Sequence, residues 1–302
     1  MGHIDDNLNF QKEADISEDI IREKLPTVLE ILLIDRTKST PKRIKNIIWA
    51  NNNYLKYGAK YYQATQPIKP ELVSGQMSHV IIPRSLKTDD VKKARTKAKA
   101  EVFTPTWIVK KQNDAVDKDY LNDDLETYVS RTWLEITCGE APYMTTRYDM
   151  NEGKFIPIDQ RVGFVDRKLA RVNAEVEDKA EWQRLVEAAY QSSYGFEWNG
   201  DSLLLARENL LYTYYDFYRG KWHVEPSVGL LENISNIISY NVFQMDGLNY
   251  TIPLTEHEEI VDKEFDIFSN HFETQVVKKR GKRVKIMNWK TNRMEFFDKG
   301  IK

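Results

Sequence analysis

SYGFEWNGDSLLLARENLLYTYYDF, residues 193–217, decides the fold. YGFEW reads as a short strand ending at Glu197. Asn199-Gly200-Asp201 is a turn that caps the next helix. On that helix Leu203, Leu204, Ala206, Leu210, Leu211 and Tyr214 form a broad apolar face. A strand running directly into an amphipathic helix is half of a βαβ unit, so the flanking segments determine whether the pattern continues.

It continues on both sides. Upstream, AEWQRLVEAAYQ (Ala180–Gln191) has helical spacing, with Trp182, Leu185, Val186, Ala189 and Tyr190 on one face. RVGFVDRK (Arg161–Lys168) reads as a strand ending at Asp166. TWLEITCGEAPY (Thr132–Tyr143) is an apolar segment that ends in an acid, a glycine turn and an aromatic. Before it, FTPTWIV predicts a short helix with Thr104 as its N-cap and Pro105 at the first position. Downstream, a helix over Leu230–Ser239 leads into the strand NVFQMDG (Asn241–Gly247). Strands alternating with helices over residues 130–250 predict an α/β fold with an open, largely parallel sheet.

The ends of the chain read differently. Ser17-Glu18-Asp19 is a candidate cap for a helix carrying Ile20, Ile21, Leu25, Leu29, Ile31 and Leu32, kinked or divided at Pro26. KNIIWA (Lys45–Ala50) and HVIIP (His79–Pro83) are expected strands. Arg84–Lys99 carries seven Lys or Arg against two acids, read as a solvated segment or as a phosphate-contacting strip. Glu256–Asp266 is acidic; within it Asp262-Lys263-Glu264 with Asp266 suggests a nuclease acid cluster, but the usual Asp…Glu-x-Lys pattern is not evident, and the group is assigned to a solvated acidic loop. Lys278–Arg293 carries eight Lys or Arg. Within and after it, VKIMNW (Val284–Trp289) and MEFF (Met294–Phe297) are expected to pair as strands.

Composition bounds the function. The 302 residues are 41% apolar, 30% charged and 12% aromatic, a globular composition. Lys plus Arg total 44 and Asp plus Glu 46, a net charge of −2, so bulk charge alone does not hold this chain to nucleic acid. The single cysteine, Cys138, excludes an intramolecular disulfide and a cysteine-built zinc site, and fits a reducing cytoplasm. No apolar run approaches the roughly 18 residues of a membrane span. The polar, acidic start (MGHIDDNLNF) is unlike a signal peptide, so no membrane partner is expected. The five histidines show no metal-ligand spacing.

Ligands of open α/β sheets bind at the carboxyl ends of strands. Three turns fall there. Gly139 lets backbone approach a ligand because no Cβ intervenes. Glu197, with Asp166 as a rival, can accept both hydroxyls of a ribose, although a helix cap is the plainer role for either. Asp246 can accept a hydrogen bond from an exocyclic amine, or simply shape the turn before Gly247.

In this order the segments resemble the γ-type S-adenosylmethionine-dependent adenine-N6 DNA methyltransferases of restriction–modification systems. Closer still are the short proteins called restriction endonuclease subunit M. The resemblance covers most of the chain. It implies a Rossmann-like class-I methyltransferase sheet over residues 100–302, with an N-terminal α+β extension over residues 1–99. AEVFTPTWIVKKQND (Ala100–Asp114) resembles the leading motif, which implies that Phe103, Thr104 and Pro105 contact the methionine part of the cofactor. LEITCGEAPY (Leu134–Tyr143) is similar to the Asp-Pro-x-Cys-Gly-x-Gly-x-Phe loop, implicating Glu135, Cys138, Gly139 and Ala141. GFEWNGDSLLLARENLL (Gly195–Leu211) resembles the next motif, with Glu197 holding the ribose and Phe196 or Trp198 flanking the adenine. NVFQMDGL places Asp246 against the adenine amine.

The chain departs from the family at its chemical centre. Ile136 replaces a proline and Ala141 a glycine. The catalytic (Asp/Asn/Ser)-Pro-Pro-(Tyr/Phe) motif has no counterpart, because no Pro-Pro occurs. Asn288-Trp289 is the nearest stand-in, with an amide to orient the target amine and a ring to stack an extruded base; packing in a hairpin is the alternative for Trp289. Three functions follow as expectations: methyl transfer to DNA adenine, a catalytically degenerate cofactor- and DNA-binding subunit of a restriction or phage-defence complex, or methyl transfer to RNA or a small molecule. The partners implied are DNA and a restriction endonuclease or specificity subunit.

Overall fold

The computed structural model describes residues 21, 25–87, 104–150, 153–262 and 274–299. Its centre is a three-stranded parallel sheet of β1 (Trp133–Glu135), β2 (Ser193–Glu197) and β3 (Val242–Gln244), in that order. Trp133 pairs with Ser193, and Phe196 with Phe243. Parallel neighbours require crossovers. Here α5 (Phe164–Glu175) and α6 (Lys179–Gln191) join β1 to β2, and α7 (Gly200–Trp222) and α8 (Val228–Asn241) join β2 to β3. Earlier in the chain lie α1 (Pro26–Leu33), the single turn α2 (Ala59–Tyr62), α3 (Thr106–Asp117) and α4 (Leu125–Ser130).

The sequence sets most of these elements by simple means. Pro26 opens α1 at a position where its missing N–H costs nothing. Asp178 caps α6 by accepting the Glu181 amide, and Ser227 does the same for α8 with Leu230. The α6 face read from the spacing is the buried one: Trp182, Leu185, Val186, Ala189 and Tyr190. The α7 helix exceeds its expectation. It is buried on nearly every side, Arg207 and Glu208 included, and forms the axis of the core.

Several expectations are corrected. Arg161–Lys168 is no strand: Gly163 sits at the N-cap of α5 and Asp166 on its first turn. Asp166 accepts the Gly163 and Thr146 amides, so its buried carboxylate caps a helix and is not at a strand end. A Cβ on Gly163 would lie 2.4 Å from the Met144 carbonyl oxygen, which explains the glycine there. Lys168, in the same segment, donates to the Arg131 carbonyl and Ser192 Oγ, tying α5 to the starts of β1 and β2. Residues 45–50 are extended but make only isolated bridges, Ile34 to Asn46 and Ile48 to Pro67. Residues 75–80 form a 3₁₀ helix, not the strand expected around His79. Pro105 takes the N-cap position and the helix begins at Thr106, one residue later than expected.

Beyond the sheet, β4 (His257–Asp262) pairs antiparallel with β5 (Thr274–Lys279), so Asp262, the first residue of the expected acidic loop, closes a strand. The expected hairpin is present as β6 (Lys285–Asn288) and β7 (Arg293–Phe296). Residues 17–19, 88–99 and Phe103 lie outside the described residues, as do Lys263, Glu264 and Asp266.

Residues on both sides of position 100 share one core. Val28, Leu29, Leu32 and Trp49 belong to the same buried cluster as Leu203, Phe217 and Ile234, and α1 lies against α8 and α7. A second, smaller cluster joins Phe196, Phe243, Met245, Ile252 and Val284 beneath the hairpin. Among the described residues no helix is long and apolar enough to cross a membrane.

Candidate functional site at the strand ends

The loop leaving β1 carries three left-handed residues in five positions: Thr137 (φ 47°), Gly139 (φ 55°) and Ala141 (φ 63°). Only Gly139 adopts this region freely. A β-branched residue such as Thr137 is an outlier there, at a cost of roughly 1–3 kcal/mol. The surrounding bonds hold the loop. Glu135 ends β1 and accepts the Met144 amide at 2.9 Å and the Tyr143 amide at 3.2 Å, closing the loop on its own strand. The Cys138 amide donates to the Phe196 carbonyl at 2.8 Å. The Gly139 amide donates to Glu197 Oε2 at 3.0 Å, from the end of the neighbouring strand.

Four of the proposed cofactor residues thus meet: Glu135, Cys138, Gly139 and Glu197. Glu197 is buried, and its Oε1 accepts the Asn199 amide at 2.9 Å and Asn199 Nδ2 at 3.1 Å. A carboxylate has about four acceptor positions, so Oε2 retains one beside Gly139. Ala141, within the loop, is fully buried. Phe196 packs into the second core cluster, and its ring occupies the space a Cβ on Gly247 would need, at 2.7 Å.

The remaining assignments separate. Asp246 follows β3, but its carboxylate accepts the Leu248 and Asn249 amides and Asn249 Nδ2, the plainer turn-shaping role. The second half of α3 meets the loop, where Asn113 Nδ2 donates to the Tyr143 carbonyl, while at the start of α3 Thr106 Oγ1 donates to Asp149 Oδ2. Thr104 and Pro105 precede this contact. Asn288 and Trp289 lie at the opposite end of the sheet. Trp289 Nε1 donates to Asn241 Oδ1 just before β3, and its ring packs against Tyr240. Asn288 Oδ1 accepts the Lys290 and Thr291 amides of the hairpin turn. The stand-in for the catalytic motif thus lies in a hairpin at the amino ends of the strands, away from Gly139 and Glu197.

Sequence reasoning missed a strap across the carboxyl ends. The Ile48 amide donates to Gln244 Oε1, and Gln244 Nε2 donates to the Ile48 and Trp198 carbonyls. Trp198 Nε1 bonds the Ala50 carbonyl, the Gly200 amide bonds the Trp49 carbonyl, and Asn51 Nδ2 reaches Asp201. The available signal was Gln244, a polar side chain closing an otherwise apolar strand.

Burial governs the charges here. Desolvation, with the nearby Glu197 carboxylate as a further cause, pushes Glu135 up to about 8. Glu197 is raised for the same first reason. Burial also lifts the Cys138 thiol, so it is a poor nucleophile. On α7, Glu208 is buried with neither carboxylate oxygen hydrogen-bonded, and burial raises it well above its ordinary value. The folded state therefore holds protons that the unfolded chain releases above its value near 4.5, and stability falls as pH climbs past that point. Glu208→Gln is expected to flatten this slope and to stabilise the alkaline side relative to the acid side. Urea midpoints at about pH 5 and about pH 8 check this; an unchanged slope contradicts it.

Comparison with protein families, with curated proteins and with solved structures finds no match to the chain. Among the described residues no group of three or more His, Cys, Asp or Glu is placed to hold a metal ion.

Proposed function

We propose that the protein is an S-adenosylmethionine-binding, methyltransferase-type subunit that works with DNA and a partner subunit of a restriction or phage-defence system. The observation that carries this reading is the bond from the Gly139 amide to Glu197 across the ends of two adjacent parallel strands. It sets a glycine loop and a buried acid side by side where such folds hold a nucleoside. The free acceptor position of Glu197 Oε2 suits a ribose hydroxyl, and the strained loop suits a fixed clamp. The bound cofactor would supply an electrophilic methyl group on a sulfonium.

The chain's own residues bind and orient in this reading. Asn288 and Trp289 face the wrong end of the sheet to act on the methyl group, which favours a binding subunit over a self-sufficient enzyme. The test is retention of radiolabelled cofactor by the purified chain, with label transfer to DNA followed in parallel. Retention without transfer is expected. Transfer to DNA by the isolated chain overturns the subunit reading, and absence of retention overturns cofactor binding.

A further inference from the structure

Beside the strap opens a cleft of about 660 Å³, lined by Lys38, Arg43, Lys45, Lys69 and Lys282 with one acid, Glu71. Its charge contrasts with the net −2 of the whole chain. Arg43, Lys45 and Lys282 have no acidic partner among the described residues. Lys38 lies 3.4 Å from Asp35, and Lys69 sits at 4.0 Å from Glu71 on the exposed rim. The cations come from three separate parts of the chain, so the fold gathers them and local sequence does not.

Lys282 shows the selection most clearly. Its neighbours Arg280 and Arg283 share one carboxylate, Asp298, as an ion-pair partner. Lys282 is held by its backbone instead: its carbonyl accepts the Ile252 amide at 2.7 Å, and its amide donates to Thr255 Oγ1 at 2.8 Å. Its side chain is left to line the cleft. The cleft wall at Ile48 is fixed to the end of β3 through Gln244, so the basic surface has a set position relative to the strand ends. No aromatic ring lines the cleft, so it offers nothing for a base to stack on.

We propose that this cleft seats the phosphate backbone of duplex DNA, without reading its sequence. Dispersed cations without stacking rings suit a phosphate polymer. The choice of DNA as that polymer rests on the function proposed above; the phosphate seat rests on charge and shape alone.

The experiment is fluorescence anisotropy of a short mixed-sequence duplex with the full chain, without cofactor, from about 50 to about 200 mM salt. Arg43→Glu with Lys282→Glu is expected to weaken binding and to lower the slope of log affinity against log salt by about 2. Lys111→Glu with Lys118→Glu changes the net charge equally on the exposed side of α3 and is expected to leave both unchanged. Equal losses in the two pairs, or no duplex binding by the intact chain, overturn the proposal. Displacement of the duplex by stoichiometric tripolyphosphate overturns it in favour of a compact phosphate site. Cofactor titration of the same variants separates the two readings. Lost DNA binding with cofactor retained is the expected pattern, whereas DNA binding without cofactor binding leaves this seat standing and removes only the earlier reading.

Discussion

Arg207→Leu is expected to lower the unfolding free energy by about 4 kcal/mol, from roughly 1 kcal/mol for each of four carbonyls, three of them buried, that lose this donor. The guanidinium is wholly buried in α7. It donates to the Val242 carbonyl at 2.8 Å, to Ile34 at 3.0 Å, to Ser239 at 3.2 Å and to Leu32. These acceptors lie at the carboxyl ends of α1 and α8, where helices leave carbonyls without intrahelical partners and carry partial negative charge. One side chain therefore caps two helices and fixes both to the sheet.

Desolvation lowers the Arg207 pKa to about 9, opposed by the nearby Asp35, so the group remains charged at neutral pH. Arg207→Lys should recover only part of the loss, because an ammonium cannot reproduce the planar fork. Urea unfolding measures both variants. A loss below about 1 kcal/mol for the leucine variant contradicts the capping account.

Gly200→Ala is expected to cost about 3 kcal/mol and to loosen the strap. A Cβ at this position lies 2.1 Å from the Ile48 carbonyl oxygen and 2.8 Å from Ile68 Cδ1. The first is backbone, pinned by Gln244 Nε2 at 2.8 Å, so it cannot rotate aside. Relief requires residues 48–50 to lift from the ends of β2 and β3, with loss of the Gly200–Trp49 and Gln244–Ile48 bonds. Hydrogen exchange at the Ile48 and Trp49 amides should accelerate in the variant. Gly229→Ala, which meets open space near the start of α8, is the control and should not destabilise. Unchanged exchange in the Gly200 variant would show that the strap is not held by this contact.

The parallel sheet was legible because its signals are local. The apolar periodicity of α6 and the turn at Asn199-Gly200-Asp201 act within a few residues. So does the switch from strand to helix after Glu197. Arg161–Lys168 misled because its apolar residues suit a strand, while the deciding contacts are distant: the Gly163 approach to Met144 and the Lys168 bonds to Arg131 and Ser192. The strap was invisible for the same reason, since Ile48 meets Gln244 across 196 positions.

At the site, Gly139 and Glu197 could be named from sequence because both fall at strand ends. Asn288-Trp289 could not be placed, since its composition suits both a catalytic loop and a hairpin turn. The bond from Trp289 to Asn241, which places the pair beside the start of β3, spans 48 positions.

The most direct measurement is calorimetric titration of the purified chain with S-adenosylmethionine, alongside Glu197→Ala and Asn288→Ala. Saturable binding by the intact chain is expected, with a loss of at least roughly tenfold in affinity for Glu197→Ala and no change for Asn288→Ala. No binding by the intact, folded chain, or equal binding by the Glu197 variant, would contradict this expectation.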